Sequence, residues 1–87
     1  MFKNTEERDK HWNKYARDRL VGRSVVSVRY LTAEEAEDMG WYSRSLVIAF
    51  DDGSYIFPSQ DDEGNDGGAL FGGNGSVEEW TFPVLGR

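Results

Sequence analysis

Four acids and six glycines fall within residues 58–75, the run Pro-Ser-Gln-Asp-Asp-Glu-Gly-Asn-Asp-Gly-Gly-Ala-Leu-Phe-Gly-Gly-Asn-Gly. Asp61, Asp62, Glu63, Asn65 and Asp66 are hard oxygen donors of the kind calcium and magnesium take. An EF-hand register starting at Asp62 puts Gly67 at the turn position, but Gly64 then stands at the third position and Gly73 replaces the closing Glu. The glycine-rich calcium nonapeptide is not matched either, because its two glycine segments lie too far apart and Val77 stands where the second Asp belongs. Asp62 and Asp66 remain the weak candidates for a divalent cation. No cofactor is expected.

Glycine-rich backbone can also turn several N–H groups toward an anion. Gly67 and Gly68 open such a segment, yet no lysine or Ser/Thr follows to make a Walker pattern. The neighbouring acids would repel a phosphate unless Arg29 or Arg44 neutralised them. Trp41, Tyr42 and Tyr55 supply ring faces on which a base could stack, and Ser59, Asp61, Asp62, Asn65 and Asp66 supply polar groups beside the glycines. Together these residues point to a non-catalytic small-molecule-binding module with a nucleotide-like ligand held under the loop. The alternative is an acidic protein-interaction module that meets a basic partner, and a Ca/Mg loop is a further one. Catalysis is not expected: His11 sits beside Trp12 on a charged helix, there is no cysteine, and paired carboxylates on glycine-rich backbone are poorly held.

These side chains need a scaffold, and the pattern supplies one. Asn4 followed by Glu7 resembles a capping box, and Trp12, Tyr15, Ala16 and Leu20 define one face of a helix over about 5–20 closed by Gly22. Its simplest role is an amphipathic lid on a sheet; a dimerising or partner-binding helix is the other. Residues 23–31 alternate with β-branched content and predict a strand. Thr32 and Glu35 form a second capping signature that opens a short helix ended by Gly40. Strands are predicted over 45–50 and 54–57, joined by the hairpin signal Asp51-Asp52-Gly53-Ser54. A last one is predicted over 80–85, where Pro83 confines it to an edge or an irregular segment. The predicted class is α+β: an N-terminal amphipathic helix packed on a small, mostly antiparallel three- to four-stranded sheet, with a second short helix. In so short a chain, connections usually take about 2 to 6 residues, so a loop across 58–75 stands out.

Residues 20–37 together with Gly40-Trp41, Asp51-Asp52-Gly53, the run Asp61-Asp62-Glu63-Gly64-Asn65-Asp66-Gly67-Gly68-Ala69-Leu70-Phe71 and the segment 83–85 resemble a group of short, functionally uncharacterised proteins found in bacteria and their phages. The resemblance covers most of the chain and implies no reaction. It implies a bacterial or phage setting, in which compact proteins sequester host signalling nucleotides or block host proteins.

Composition bounds the rest. Eighty-seven residues make one domain, and a chain of that size buries only about 60 to 65% of its unfolded surface. With no cysteine to staple it and twelve aromatic residues available, self-association into a homo-oligomer is expected. Ten basic side chains against sixteen acidic ones, a net charge of −6, argue against a nucleic-acid polymer or an anionic membrane as partner. No apolar run approaches the ~18 to 20 residues of a transmembrane span. The polar N-terminus is unlike a signal peptide, so a cytoplasmic protein is expected.

Overall fold

A computed structural model describes residues 3–75 and 77–87. The chain is α+β, with two helices and small antiparallel sheets. Helix α1 (Thr5–Leu20) starts where Asn4 Oδ1 accepts from the Glu7 amide at 2.7 Å. Glu7 reaches back to the Lys3 amide rather than to that of Asn4, so the box is one residue wider than the motif. Gly22 follows the helix at φ 84°, a conformation that favours a residue without a Cβ.

Strand β1 (Val25–Tyr30) pairs antiparallel with β3 (Leu46–Phe50), which pairs with β4 (Tyr55–Ile56), in the order β1-β3-β4. Between β1 and β3 lie α2 (Ala33–Asp38) and the short β2 (Ser43–Arg44). Thr32 and Glu35 complete a full capping box on α2, and Gly40 ends the turn at φ 76°. The β3–β4 turn is the Asp-Gly hairpin, with the Gly53 amide donating to the Phe50 carbonyl at 3.1 Å. Strands β5 (Leu70–Gly73) and β6 (Glu79–Phe82) form a separate hairpin, and β7 (Leu85–Gly86) pairs with β2.

The core is small. Leu31, Ala36, Trp41 and Val47 pack together with Phe57 against them, at the junction of α2 and one face of the sheet. Three details differ from the sequence expectation. The strand expected over 80–85 is broken at Pro83 and Val84, which leaves β6 and β7 in different sheets. Leu70 and Phe71 do not sit in a loop but open β5, where Trp80 lies across from Gly72 with its ring 3.3 Å from where a Cβ would stand. Helix α1 does not lid the sheet: every one of its residues is exposed. The radius of gyration, 15.1 Å, exceeds the about 12 Å of a compact chain of this length. Among the described residues no helix is long and apolar enough to cross a membrane.

Candidate functional site

Pleating places Ser27, Arg29 and Leu31 on one face of the sheet, and the register sets Ser27 beside Ala49 and Ala49 beside Tyr55. Two small side chains in a row leave the middle of that face hollow. Helix α2 and its C-cap wall one side with Glu35 and Met39, and Phe57 and Tyr55 wall the other. The result is a groove of about 470 Å³ with a mostly apolar floor.

Its aromatic wall is tied to the core. The Tyr55 and Phe57 rings stack with centroids 5.9 Å apart and planes 10° apart, and Phe57 meets Trp41 edge-on at 5.7 Å. Tyr55 lines the groove and is 61% exposed. On the rim, Arg29 grips Glu35 with both terminal nitrogens, Nη1 to Oε1 at 2.7 Å and Nη2 to Oε2 at 3.0 Å. The Arg29 guanidinium, helped by the Thr32 amide, holds the Glu35 carboxyl down to about 2, and Glu35 in turn raises Arg29. Asp38 lies beyond them, leaving the rim with more negative than positive charge.

The Gly/acid segment spends its hydrogen-bonding capacity on the chain itself. Asp66 Oδ1 accepts from the amides of Gly67 at 2.8 Å, Ser43 at 2.9 Å and Tyr42 at 3.1 Å. Those amides, led by that of Gly67, hold its carboxyl below the usual range. Asp61 does the same locally, taking the Asn65 side chain at 2.8 Å and the Glu63 and Asn65 amides, and its carboxyl is lowered chiefly by Asn65. Ser59 Oγ donates to the Asp66 carbonyl, Gly68 donates to the Pro58 carbonyl, and Trp41 Nε1 donates to the Gly64 carbonyl at 2.7 Å. Two glycines are fixed by close approach. A Cβ at Gly68 would stand 2.7 Å from the Ser59 carbonyl oxygen, and one at Gly67 3.1 Å from that of Ser43, above the fully buried Ser45.

Amides that could cradle an external anion are thus already turned onto Asp61 and Asp66. Asp62 is exposed beside them, and among the described residues no group of three or more His, Cys, Asp or Glu gathers around a possible metal.

The chain matches no protein-family model, no curated protein and no solved structure. The site is therefore read from its geometry.

Of the residues singled out in the sequence, the structure brings Arg29 and Tyr55 into one groove. Trp41 lies beneath it, 4% exposed, as core rather than as a stacking surface. Tyr42 and Arg44 belong to the C-terminal clasp: Arg87 lies 5.6 Å over the Tyr42 ring, and Arg44 Nε donates to the Gly86 carbonyl at 3.1 Å. Ser59, Asp61, Asn65, Asp66, Gly67 and Gly68 build the segment that Trp41 anchors. Ser27, Glu35, Met39, Ala49 and Phe57 line the groove without having been singled out. The small pair Ser27 and Ala49, each amid larger apolar neighbours on alternating strands, is the sequence signal that could have marked it.

Proposed function

We propose that this protein is a non-catalytic module that binds a nucleotide-like small molecule in the groove over Ser27, Ala49 and Tyr55. The groove itself carries this reading. Its volume falls within the about 300 to 1,000 Å³ of small-molecule sites, and an apolar floor with a few polar groups at the rim is their usual lining. A planar ring laid against Tyr55 would gain about 1 to 3 kcal/mol from stacking. The rim then sets the ligand's charge. Arg29 is already held by Glu35, and Asp38 adds a second negative charge, so a nucleoside or monophosphate suits this rim and a triphosphate is repelled by it.

Calorimetric titration with adenosine, adenosine monophosphate and adenosine triphosphate, and with the guanine series, tests both parts. The expected order within a series is nucleoside or monophosphate above triphosphate. Tyr55→Ala should weaken binding by about 5- to 150-fold, the equivalent of one lost stack. Ser27→Leu, which fills the hollow, should abolish it. Heats that are absent at millimolar ligand throughout, or that Tyr55→Ala and Ser27→Leu leave unchanged, would rule the reading out.

A further inference from the structure

The opposite face of the same sheet carries a partly exposed aliphatic row, and the otherwise charged helix α1 carries a short aromatic and aliphatic stripe with no residue buried. Val28 pairs with Ile48 and Ile48 with Ile56, which makes one aliphatic row across three strands. Val28 is 55% exposed and Ile56 39%. Along α1, Trp12 packs edge-on to Tyr15 at 5.1 Å, and Leu20 continues the stripe one turn on, with nothing buried. An isolated helix of this length is marginal in water, and most helices gain their stability by burying such a stripe.

The helix is held away from its own sheet. Its linker is pinned to the β3–β4 turn by the Asp51 amide on the Ser24 carbonyl at 2.9 Å, the Ser24 amide on Asp51 Oδ1 at 3.3 Å, and the Arg23–Asp52 ion pair at 2.9 Å. Area and charge then identify the occupant of both surfaces. The folded chain exposes 6749 Å², whereas a compact monomer of 9.9 kDa exposes about 5,200 Å². The surplus of about 1,500 Å² per chain is what each partner contributes to a large, obligate interface. Charge divides along the same line. Residues 1–23 carry seven basic and four acidic side chains, and residues 24–87 carry three basic and twelve acidic ones. A basic amphipathic helix and an acidic sheet body suit each other.

We infer that the chain forms a homodimer in which α1 of each copy lies on the Val28–Ile48–Ile56 face of the other. The contact uses the sheet face opposite the groove, so it stands or falls independently of the ligand. Light scattering and sedimentation of the full chain across 1 to 200 µM should give a mass near twice 9.9 kDa. Trp12→Glu with Tyr15→Glu, and separately Val28→Glu, should each raise the dissociation constant at least about 100-fold. Raising salt from 0.05 to 0.5 M should weaken the wild-type dimer, because charge steers and supports the contact.

Should a variant fail to fold, the wild-type chain still decides the matter. A mixture of labelled and unlabelled chain should show intermolecular NOEs from the Trp12 and Tyr15 rings to the Val28, Ile48 and Ile56 methyls. A single-copy mass at 200 µM would overturn the inference. So would a dimer that either folded variant leaves intact, or one whose NOEs join other surfaces.

Discussion

Asp66 shows how one carboxylate can decide what a glycine-rich segment does. Its Oδ1 takes three backbone amides, two of them from residues 42 and 43 on the far side of the turn. A carboxylate so bonded is held ionised, and it occupies the place an external anion would take. Asp66→Ala should therefore lower Tm by about 5 °C or more, whereas Asp66→Asn, which keeps an acceptor oxygen, should lose less; paired melting curves measure the difference. Acid should have a related effect. Glu35, Asp61 and Asp66 all ionise more readily in the folded chain than in an unfolded one. Their contribution is fully present above the ordinary carboxylate value near 4 and is lost as pH falls through their lower folded values. Melting curves should be flat between pH 5 and 7 and fall steadily from pH 4 toward pH 2. Because Arg29 and Glu35 are about half exposed, 0.5 M salt should blunt their share. A Tm that holds constant down to pH 2 would contradict this account of the three carboxylates.

At the scale of elements, Trp41 joins what lies above and below it. Its ring is core to Leu31 and Val47 and edge-on to Phe57, and its Nε1 closes the Gly/acid segment through Gly64. Trp41→Ala should cost about 3 to 5 kcal/mol, a large share of what a domain this small possesses, and denaturant unfolding should register it as near-complete loss of fold. Trp41→Phe keeps part of the ring packing but leaves a smaller cavity and drops the hydrogen bond to Gly64, so it should cost less than Trp41→Ala and more than the about 1 kcal/mol of the bond alone. Gly68→Ala drives a Cβ into the Ser59 carbonyl, so it should open the segment and raise amide exchange over 59–68 while β1 and β3 stay protected. What the sequence made legible follows the same division. Helix α1, strands β1, β3 and β4, both caps and the Asp-Gly turn announce themselves through patterns that span a few residues. Strands β2, β5 and β7 do not. Two of them are only two residues long, and β5 ends on Gly72 and Gly73, which have no strand propensity of their own; at Gly73 the Glu78 carbonyl leaves no room for a Cβ, and at Gly72 one would press on the Trp80 ring. The candidate site was half legible. Arg29 and Tyr55 are visible as residue types, but Asp66 reads as a ligand donor because two of its three amide partners lie more than twenty positions away. The hollow over Ser27 and Ala49 exists only once the register is known.

The whole molecule is expanded, asymmetric in charge and short of core, and these are aspects of one property. A basic helix stands off an acidic body, and the sheet carries an apolar row on one face and a groove on the other. That division would let the two faces serve the two partners proposed, a second copy of the chain and a small molecule. Of the two, the groove is the central claim, and amide-resolved NMR of the full chain titrated with adenosine tests it most directly. The account predicts saturable shifts confined to Ser27, Leu31, Val47, Ala49, Tyr55 and Phe57, and their disappearance in Ser27→Leu. Shifts that centre instead on 61–73, or none at millimolar adenosine, would contradict it.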